Sequence, residues 1–311
     1  MSQLETWMRI STKVKPPAKN VPLLDYMSGR FTYRPRETWA QFIADGNVQF
    51  EGGLADAETL VSAGDTITTK IPDFDPPDAN YDYSIVYEDE NLLAVNKPSN
   101  LRVHGRGRYI HANLIHHIRH VREDGYPESS LINRIDANTT GLVLLSKNQE
   151  MLVAMQRLFQ NRQIEKTYLA IIKGTPTEKG GVVTQPIGKL PSADGVYRYG
   201  FAEDAEKLKE AESHWQLVRP LENDCALIEL KPKTGRTHQL RVHMAAIGHP
   251  LAGDALYQLS DEDYLTWCDE PERFPDLGFH RHALHCWKYN FINPMTNLAQ
   301  EISAPPSDFE L

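Results

Sequence analysis

Apolar positions along the chain change period several times, and each change marks an element. Over PRETWAQFIADG, Trp39, Phe42 and Ile43 share one face of a 3.6-residue period, with Pro35 placed to start a helix and Gly46 to stop it. NVQF, the turn EGG and DTITTKI follow as short strands, and FDPPDANYD has no period and reads as a proline-rich linker. Beyond it, SIVYEDENLLAVNKP predicts a hairpin ending at Pro98, HANLIHHIRHVR a short helix, and LINRIDANTTGLVLLSK a strand, a turn and a strand. NQEMLVAMQRLFQN predicts a helix capped by Asn148, with Leu152, Met155 and Phe159 inward. KTYLAIIKG predicts a strand, WQLVRPLENDCALIELKP a hairpin, and TGRTHQLRVHMAAIGHP a helix with Gly248 at its C-terminal cap and Pro250 beyond. Strand pairs separated by single helices, without regular βαβ alternation, indicate an α+β fold around a mixed sheet rather than a doubly wound one.

A chain of 311 residues exceeds one average domain of roughly 150 residues, so two units are expected. Residues 1–20 carry Arg9, Lys13, Lys15 and Lys19 against the single acid Glu5, with Pro16 and Pro17 between them, and read as a basic arm without fixed structure. A small α+β unit over 21–72, a linker over 73–80, a large domain over 81–305 and a tail over 306–311 complete the plan.

Composition narrows the class. With 41% hydrophobic and 24% charged residues the chain is able to bury a real core, which excludes collagen-like, mucin-like and wholly disordered readings. Lys and Arg total 33 against 42 Asp and Glu, and the resulting net charge of -9 argues mildly against a nucleic-acid partner. The opening MSQLETWMRISTKVKPP holds no apolar signal core and no run is long enough to span a bilayer, so a cytoplasmic protein without a membrane partner is expected. Cys225, Cys268 and Cys286 are too widely spaced for a CxxC zinc knuckle and read as buried thiols.

Candidate chemistry concentrates in three stretches. In RIDANTTGLVLL, Arg134 and Asp136 stand two apart, so a strand end would put both on one face, before a loop of Asn138, Thr139, Thr140 and Gly141. A nearby cation favours an ionised carboxylate, which suits Asp136 to act as a nucleophile or base; the plainer alternative is an Asx-turn that closes a hairpin. In KPKTGRTHQLRVH, Lys231, Lys233, Arg236 and Arg241 have no acid among them and lead into a helix, an arrangement suited to phosphate contact or to a merely solvated turn. Leu240, Met244 and Ile247 mark that helix's buried face and leave Arg241 on a flank, from which it can reach a neighbouring strand. The third stretch runs through Lys97, Arg102, His104, Arg106 and Arg108, and it lacks both GxGxxG and a Walker lysine, which argues against a nucleotide cofactor. His116 with His120, and His280 with His282 and His285, invite a zinc-hydrolase reading, but HEXXH is absent and the interleaved apolar residues favour ordinary packing.

Taken together, IVYEDENLLAVNKPSNLRVH, RIDANTTGLVLLSKN, EKTYLAIIKG, TGRTHQLRVHMAAIGHPLAGDALY and HALHCWKYNF resemble, in order and spacing, the RluA-type family of RNA pseudouridine synthases across residues 81–305. RETWAQFIADGNVQFEG and the later GDTI look like the S4 RNA-binding domain, although the usual V-N-G turn reads Phe50-Glu51-Gly52 here. The resemblance implies a mainly antiparallel catalytic sheet and isomerisation of uridine in structured RNA, ribosomal RNA slightly ahead of tRNA. It implies no cofactor and no metal, because the reaction conserves atoms, and a monomer is the default expectation. Residue by residue, Asp136 matches the catalytic carboxylate and Arg241 the arginine that pairs with it. Tyr168 matches the tyrosine that packs on the target base, and Arg134 the arginine associated with displacing that base. Asn138, Thr139, Thr140, Arg236, His238, Lys97 and Arg106 are the further expected substrate contacts. Removal of Arg241 is then expected to cost activity rather than folding. The family's usual H-R-L-D reads Asn133, Arg134, Ile135 and Asp136, which keeps a hydrogen-bonding side chain at the first position but not a titratable one.

The rival from another class is a non-catalytic RNA-binding or ribosome-assembly factor on the same fold, against which intact Asp136, Tyr168 and Arg241 argue. Acids crowd two stretches, Glu203 to Glu212 and Asp261 to Asp276, while the motif-bearing stretches stay basic. Acidic segments away from the cleft would then direct RNA toward Lys97 to Arg108 and Lys231 to Arg241.

Overall fold

The computed structural model describes residues 7–32, 34–72, 77–105, 107–191, 196–201, 205–306 and 309, and the chain divides into two compact units, Met1–Pro76 and Pro77–Leu311. Of the expected linker, residues 73–76 lie outside the described residues.

The first unit contains β1 (Trp7–Lys13), β2 (Val21–Pro22), α1 (Leu23–Arg30), α2 (Arg36–Ala44), β3 (Val48–Phe50), β4 (Gly53–Leu54), β5 (Leu60–Val61) and β6 (Thr66–Pro72). Trp39, Phe42 and Ile43 are buried as their spacing predicts, and they pack with Leu23, Met27, Val48 and Ile67 into one core. The expected structureless arm is a correction, since β1 pairs antiparallel with β6 from Trp7 opposite Pro72 to Lys13 opposite Thr66. Its basic residues masked a period of two: Val14 is buried while Ser11 and Lys13 face solvent, and Ser11 and Thr68 share a hydroxyl hydrogen bond of 2.9 Å.

The second unit is built on β7 (Ser84–Glu88), β8 (Leu92–Lys97), α3 (Leu114–His116), β9 (Ser130–Leu131), β10 (Thr140–Ser146), α4 (Gln149–Gln160), β11 (Glu165–Lys173) and β12 (Gly180–Val183). It continues through β13 (Ile187–Lys189), β14 (Tyr199–Gly200), β15 (Glu206–Lys209), β16 (Ser213–Leu221), β17 (Cys225–Pro232), α5 (Gln239–Ala246), α6 (Ala255–Gln258), α7 (Asp261–Asp269), β18 (Leu284–Ile292) and β19 (Ala299–Ser303). Its main sheet runs β12-β16-β17-β11-β18-β10-β8-β7, with β19 added beside β18 and β9 beside β10. The pairs are antiparallel except β10 with β18, which are parallel at Thr140–His285 and Gly141–Cys286.

Unbroken apolar runs in β8 and β10 follow from burial on both faces. Leu92, Ala94, Leu142 and Leu144 face α4 with Met151 and Met155, whereas Leu93, Val95, Val143 and Leu145 pack on Leu114 and Ile118. In α4 the fully buried residues are Met151 and Met155 rather than Leu152. Across the sheet, Ala170, Ile172, Ala226 and Ile228 receive Leu240 and Met244 of α5. Two further expectations fail. Phe309, placed in a free tail, is 5% exposed and packs with Leu169, Leu227 and Ala283. Cys268, taken as buried, is exposed on α7, a helix that buries no residue.

Two features hold the turn between β9 and β10. Gly141 has φ +101°, and a Cβ there would stand 2.2 Å from the Cys286 carbonyl oxygen, so only glycine lets β10 approach β18. Lys97, expected at an RNA-facing surface, is instead fully buried. Its ammonium donates to the carbonyls of Pro98 at 2.7 Å and Ala137 at 2.9 Å, tying the end of β8 to the turn. Burial, and after it the charge of Arg281, lowers the Lys97 pKa from 10.5 to about 7.

Gly141→Ala is expected to destabilise the protein by more than about 3 kcal/mol, read from denaturant midpoints, because backbone rather than a movable side chain blocks the new methyl. Lys97 also sets a pH dependence. Between about 7 and 10.5 the unfolded chain binds more protons than the folded one, so stability rises with pH across this window and the burial cost is full below it. Denaturant titrations at stepped pH should therefore show the stability of the parent relative to Lys97→Met growing as pH rises above neutral. A flat difference would dismiss the buried titration.

Candidate active site

Ile132 still pairs with β10, its N–H donating to the Leu144 carbonyl, but the next residues leave the sheet. The strand expected to carry Arg134 and Asp136 ends at Leu131, because the Asn133 side chain takes over the pairing. Its Oδ1 accepts from the Leu144 N–H at 2.6 Å, and its Nδ2 donates to the Leu142 carbonyl at 3.3 Å and to the Tyr289 hydroxyl at 3.0 Å. An amide that imitates backbone lets residues 133–139 run free of the ladder.

Asp136 lies at the floor of a cleft of about 840 Å³ whose walls include Arg102, His104, Arg134, Lys166, Tyr168, Tyr197, Arg236, His238, Arg241 and Tyr264. Its side chain is 34% exposed, so it is open to a ligand. Arg241, from the first turn of α5, donates through Nη1 to Asp136 Oδ2 at 3.2 Å. The same guanidinium forms two bonds of 2.7 Å to the Asp254 carboxylate, and Asp254 is 1% exposed. Burial works against the Arg241 charge, but Asp254 outweighs it by charge and hydrogen bonding, so the Arg241 pKa is raised. Its ring-facing side lies 5.1 Å from the centroid of Tyr257. Truncation of Arg241 would leave Asp254 buried and unpaired, a defect costing about 3–5 kcal/mol. Removal of Arg241 is therefore expected to cost stability as well as activity, in place of activity alone.

Tyr168 on β11 stands where the register with β18 shifts, between Thr167 and Tyr168; such a bulge turns a side chain out of its regular alternation and here brings Tyr168 into the cleft wall. Burial, then Cys286, raises the Tyr168 pKa well above 10, and its hydroxyl interacts with those of Tyr289 and the Cys286 thiol. Phe159 closes the same corner, edge-on to Tyr289 at 6.2 Å. Lys166, two residues before Tyr168, donates to the Thr234 carbonyl at 3.0 Å, and burial lowers its pKa to about 8.

The remaining expected contacts divide. Arg134 and Asn138 are exposed and line the cleft, as do Arg236 and His238. Thr140 is turned inward, its hydroxyl bonded to His285 Nδ1 at 2.7 Å and Arg281 Nη2 at 3.1 Å. Thr139, 2% exposed, shares a 2.8 Å bond with His282 Nε2. Both threonines brace the floor, and their partners His282 and His285 are two of the histidines that had suggested a metal. Arg106 lies outside the described residues, and the side chain of Arg108 does too.

The basic stretch around Lys231 is less basic in space than in sequence. Lys231 pairs with Glu165 and Glu229, each at 3.3 Å, and Arg236 Nε donates to the Glu210 carbonyl at 2.9 Å. Each acidic stretch meets the cleft through a neutral group rather than a carboxylate: the Glu210 backbone carbonyl accepts from Arg236, and α7 contributes Tyr264 to the wall. Glu203 and Asp204 lie outside the described residues. Residue-by-residue reading missed Asp254, Tyr257 and Lys166. The first two were within GDALY and the third within EKTY, stretches noted for their resemblance but given no role.

A family model for RNA pseudouridylate synthase matches residues 91–246. The ribosomal large subunit pseudouridine synthase D of Zymomonas mobilis is 30% identical over 318 residues, covering 95% of this chain and 96% of its own length. The enzyme of the same name from Nitrosomonas europaea is 35% identical over 213 residues, 68% of this chain and 58% of its own. Among solved structures, human RNA pseudouridylate synthase domain containing 1 superimposes with a TM-score of 0.58 at 26% identity, covering 74% of this chain and 86% of that one. The family match leaves the first unit outside it and runs from β8 through α5, the span that carries Asp136, Tyr168 and Arg241. The chain therefore belongs to the RNA pseudouridine synthase family, isomerases that modify RNA.

Proposed function

We propose that this protein isomerises specific uridines of structured RNA, ribosomal RNA before tRNA, with Asp136 as the catalytic carboxylate. The observation that carries the reading is the open carboxylate of Asp136 held 3.2 Å from a buried arginine that a second carboxylate keeps in place. The names of the Zymomonas and Nitrosomonas relatives support a large-subunit ribosomal RNA target.

Isomerisation breaks the N1–C1′ bond, rotates the uracil and joins C5 to C1′; C5 gives up its proton and N1 gains one. A uridine stacked in a helix cannot present C1′ to a carboxylate, so it must leave the stack, at a cost of a few kcal/mol. Arg134, exposed at the cleft, fills the vacated place. Tyr168 holds the detached ring by its face while its hydroxyl stays anchored. Attack at C1′ and removal of a ribose proton both need Asp136 unprotonated, and Arg241 supplies a cation 3.2 Å from its Oδ2.

The first unit acts as an S4-like RNA-binding module. Its helix pair α1 and α2 leads into the tight hairpin β3–β4, where Phe50 pairs with Gly53. Glu51 and Gly52 both have positive φ, 46° and 82°, as a two-residue hairpin turn requires, so the altered turn keeps its geometry.

Asp136→Asn is expected to abolish pseudouridine formation while leaving RNA affinity within a few fold, and site mapping of pseudouridine in total RNA from a deletion strain beside its parent names the target. Turnover retained by the Asn variant would reject the assignment of Asp136, and a pseudouridine map unchanged in the deletion strain would favour a factor that works by contact alone.

A further inference from the structure

His238 opens α5 in the left-handed region, with φ 56° and ψ 17°. That conformation is uncommon for any residue with a side chain beyond Asn, Asp and His, and strain of this kind persists where the surroundings hold it. Here it places an imidazole beside the carboxylate, with Nε2 3.8 Å from Asp136 Oδ2. The ring is 17% exposed and stands edge-on to Tyr199 and Tyr257.

The ring's tautomer turns on the bond that Nδ1 makes. The Tyr257 hydroxyl oxygen accepts the Tyr199 backbone N–H at 3.2 Å and lies 2.9 Å from His238 Nδ1. When the phenol donates its proton to Nδ1, that nitrogen carries no hydrogen and the remaining ring proton is on Nε2, the atom 3.8 Å from Asp136 Oδ2. Burial, followed by the charge of Arg241, lowers the His238 pKa to about 4, so the ring is neutral at working pH. The 3.8 Å separation is longer than a hydrogen bond, as such contacts often are before a ligand closes the site.

We propose that His238 is a positioning residue for Asp136: its neutral Nε2–H, oriented by the Tyr257 hydroxyl, donates to Oδ2 in the RNA complex and leaves the other carboxylate oxygen to face the ribose. This inference rests on Asp136 being the catalytic group. It differs from the expected role of His238 as a direct RNA contact, which would show in affinity rather than turnover.

Asn and Gln variants separate the two ring nitrogens, since a Gln amide reaches to the place of Nε2 and an Asn amide only to that of Nδ1. Asn is also the easier residue in the left-handed region, so any backbone effect favours Asn, opposite to the predicted order of activity. With full-length protein and a ribosomal RNA transcript that contains the mapped site, His238→Asn should lower kcat about ten- to a hundredfold, with KM within about twofold. His238→Gln should recover most of that loss, and the Asn variant should melt no lower than the Gln variant. Tyr257→Phe, which frees the tautomer without altering the ring, should give a smaller fall in kcat. Equal kcat in the Asn and Gln variants, or a loss confined to KM, overturns the proposal while leaving Asp136 in its role. Unreduced kcat in Tyr257→Phe overturns the relay. Asp136→Asn assayed in parallel tells the two levels apart, because turnover there removes the underlying reading itself.

Discussion

The site depends on a permanent cation kept out of water. Arg241 has a side chain only 8% exposed, and a guanidinium has five N–H groups and no means of shedding its charge. Asp254 satisfies two of them at 2.7 Å and fixes the plane of the fork. The third contact, to Asp136, is then set by α5 and the 251–254 turn rather than by the loop on which Asp136 lies. Since that loop has left the sheet, it could not set the distance itself. A lysine would supply the charge but not the geometry, because a single ammonium cannot hold one carboxylate with two bonds and still point at another.

The loop that carries Asp136 is correspondingly tied from several sides. Lys97 holds the Ala137 carbonyl from beneath, Asn133 holds the point of departure from β10, and Thr139 is bonded to His282. The ties reach the loop from β8, from β10 and from the segment that leads into β18, and together they hold an irregular segment against the sheet. The arrangement needs β10 and β18 closer than side chains permit, which is why glycine stands at position 141. Asn133 does the structural work of its position without a titratable ring, so the departure from the family's usual histidine leaves the floor of the cleft intact and links it to the Tyr289 hydroxyl.

Local pattern carried the elements and long-range pairing did not. The α2 helix was legible because Trp39, Phe42 and Ile43 repeat at helical spacing, and β8 and β10 because they are apolar on both faces. The β1 strand was obscured by charge, although Ser11, Lys13 and Val14 already alternated. Asp136, Tyr168 and Arg241 stood out only through ordered motifs, and nothing local joins positions 136, 241 and 254. Thr140 and Lys97 were expected as substrate contacts from the motifs in which they stand; in both cases an internal partner takes the polar group, and that partner is far away in sequence. Burial of a polar side chain is a property of its partners, which spacing within one segment does not contain.

The net charge of -9 takes on a different meaning once the pairs are counted in space. Several cations are occupied within the protein: Lys231 by two glutamates and Arg241 by two aspartates in the motif-bearing stretches, and Arg198 outside them by Asp261 of α7. Among the described residues, Arg102 and Arg134 are exposed cleft cations that no ion pair claims. At physiological salt, charge attraction fades beyond a Debye length of about 8 Å, so such a molecule draws little RNA from a distance. On the proposed reading, recognition then falls to the inside of the cleft, with Tyr168 against a flipped base and Arg102 and Arg134 toward phosphate, and selectivity comes from fit rather than from the field of the whole protein.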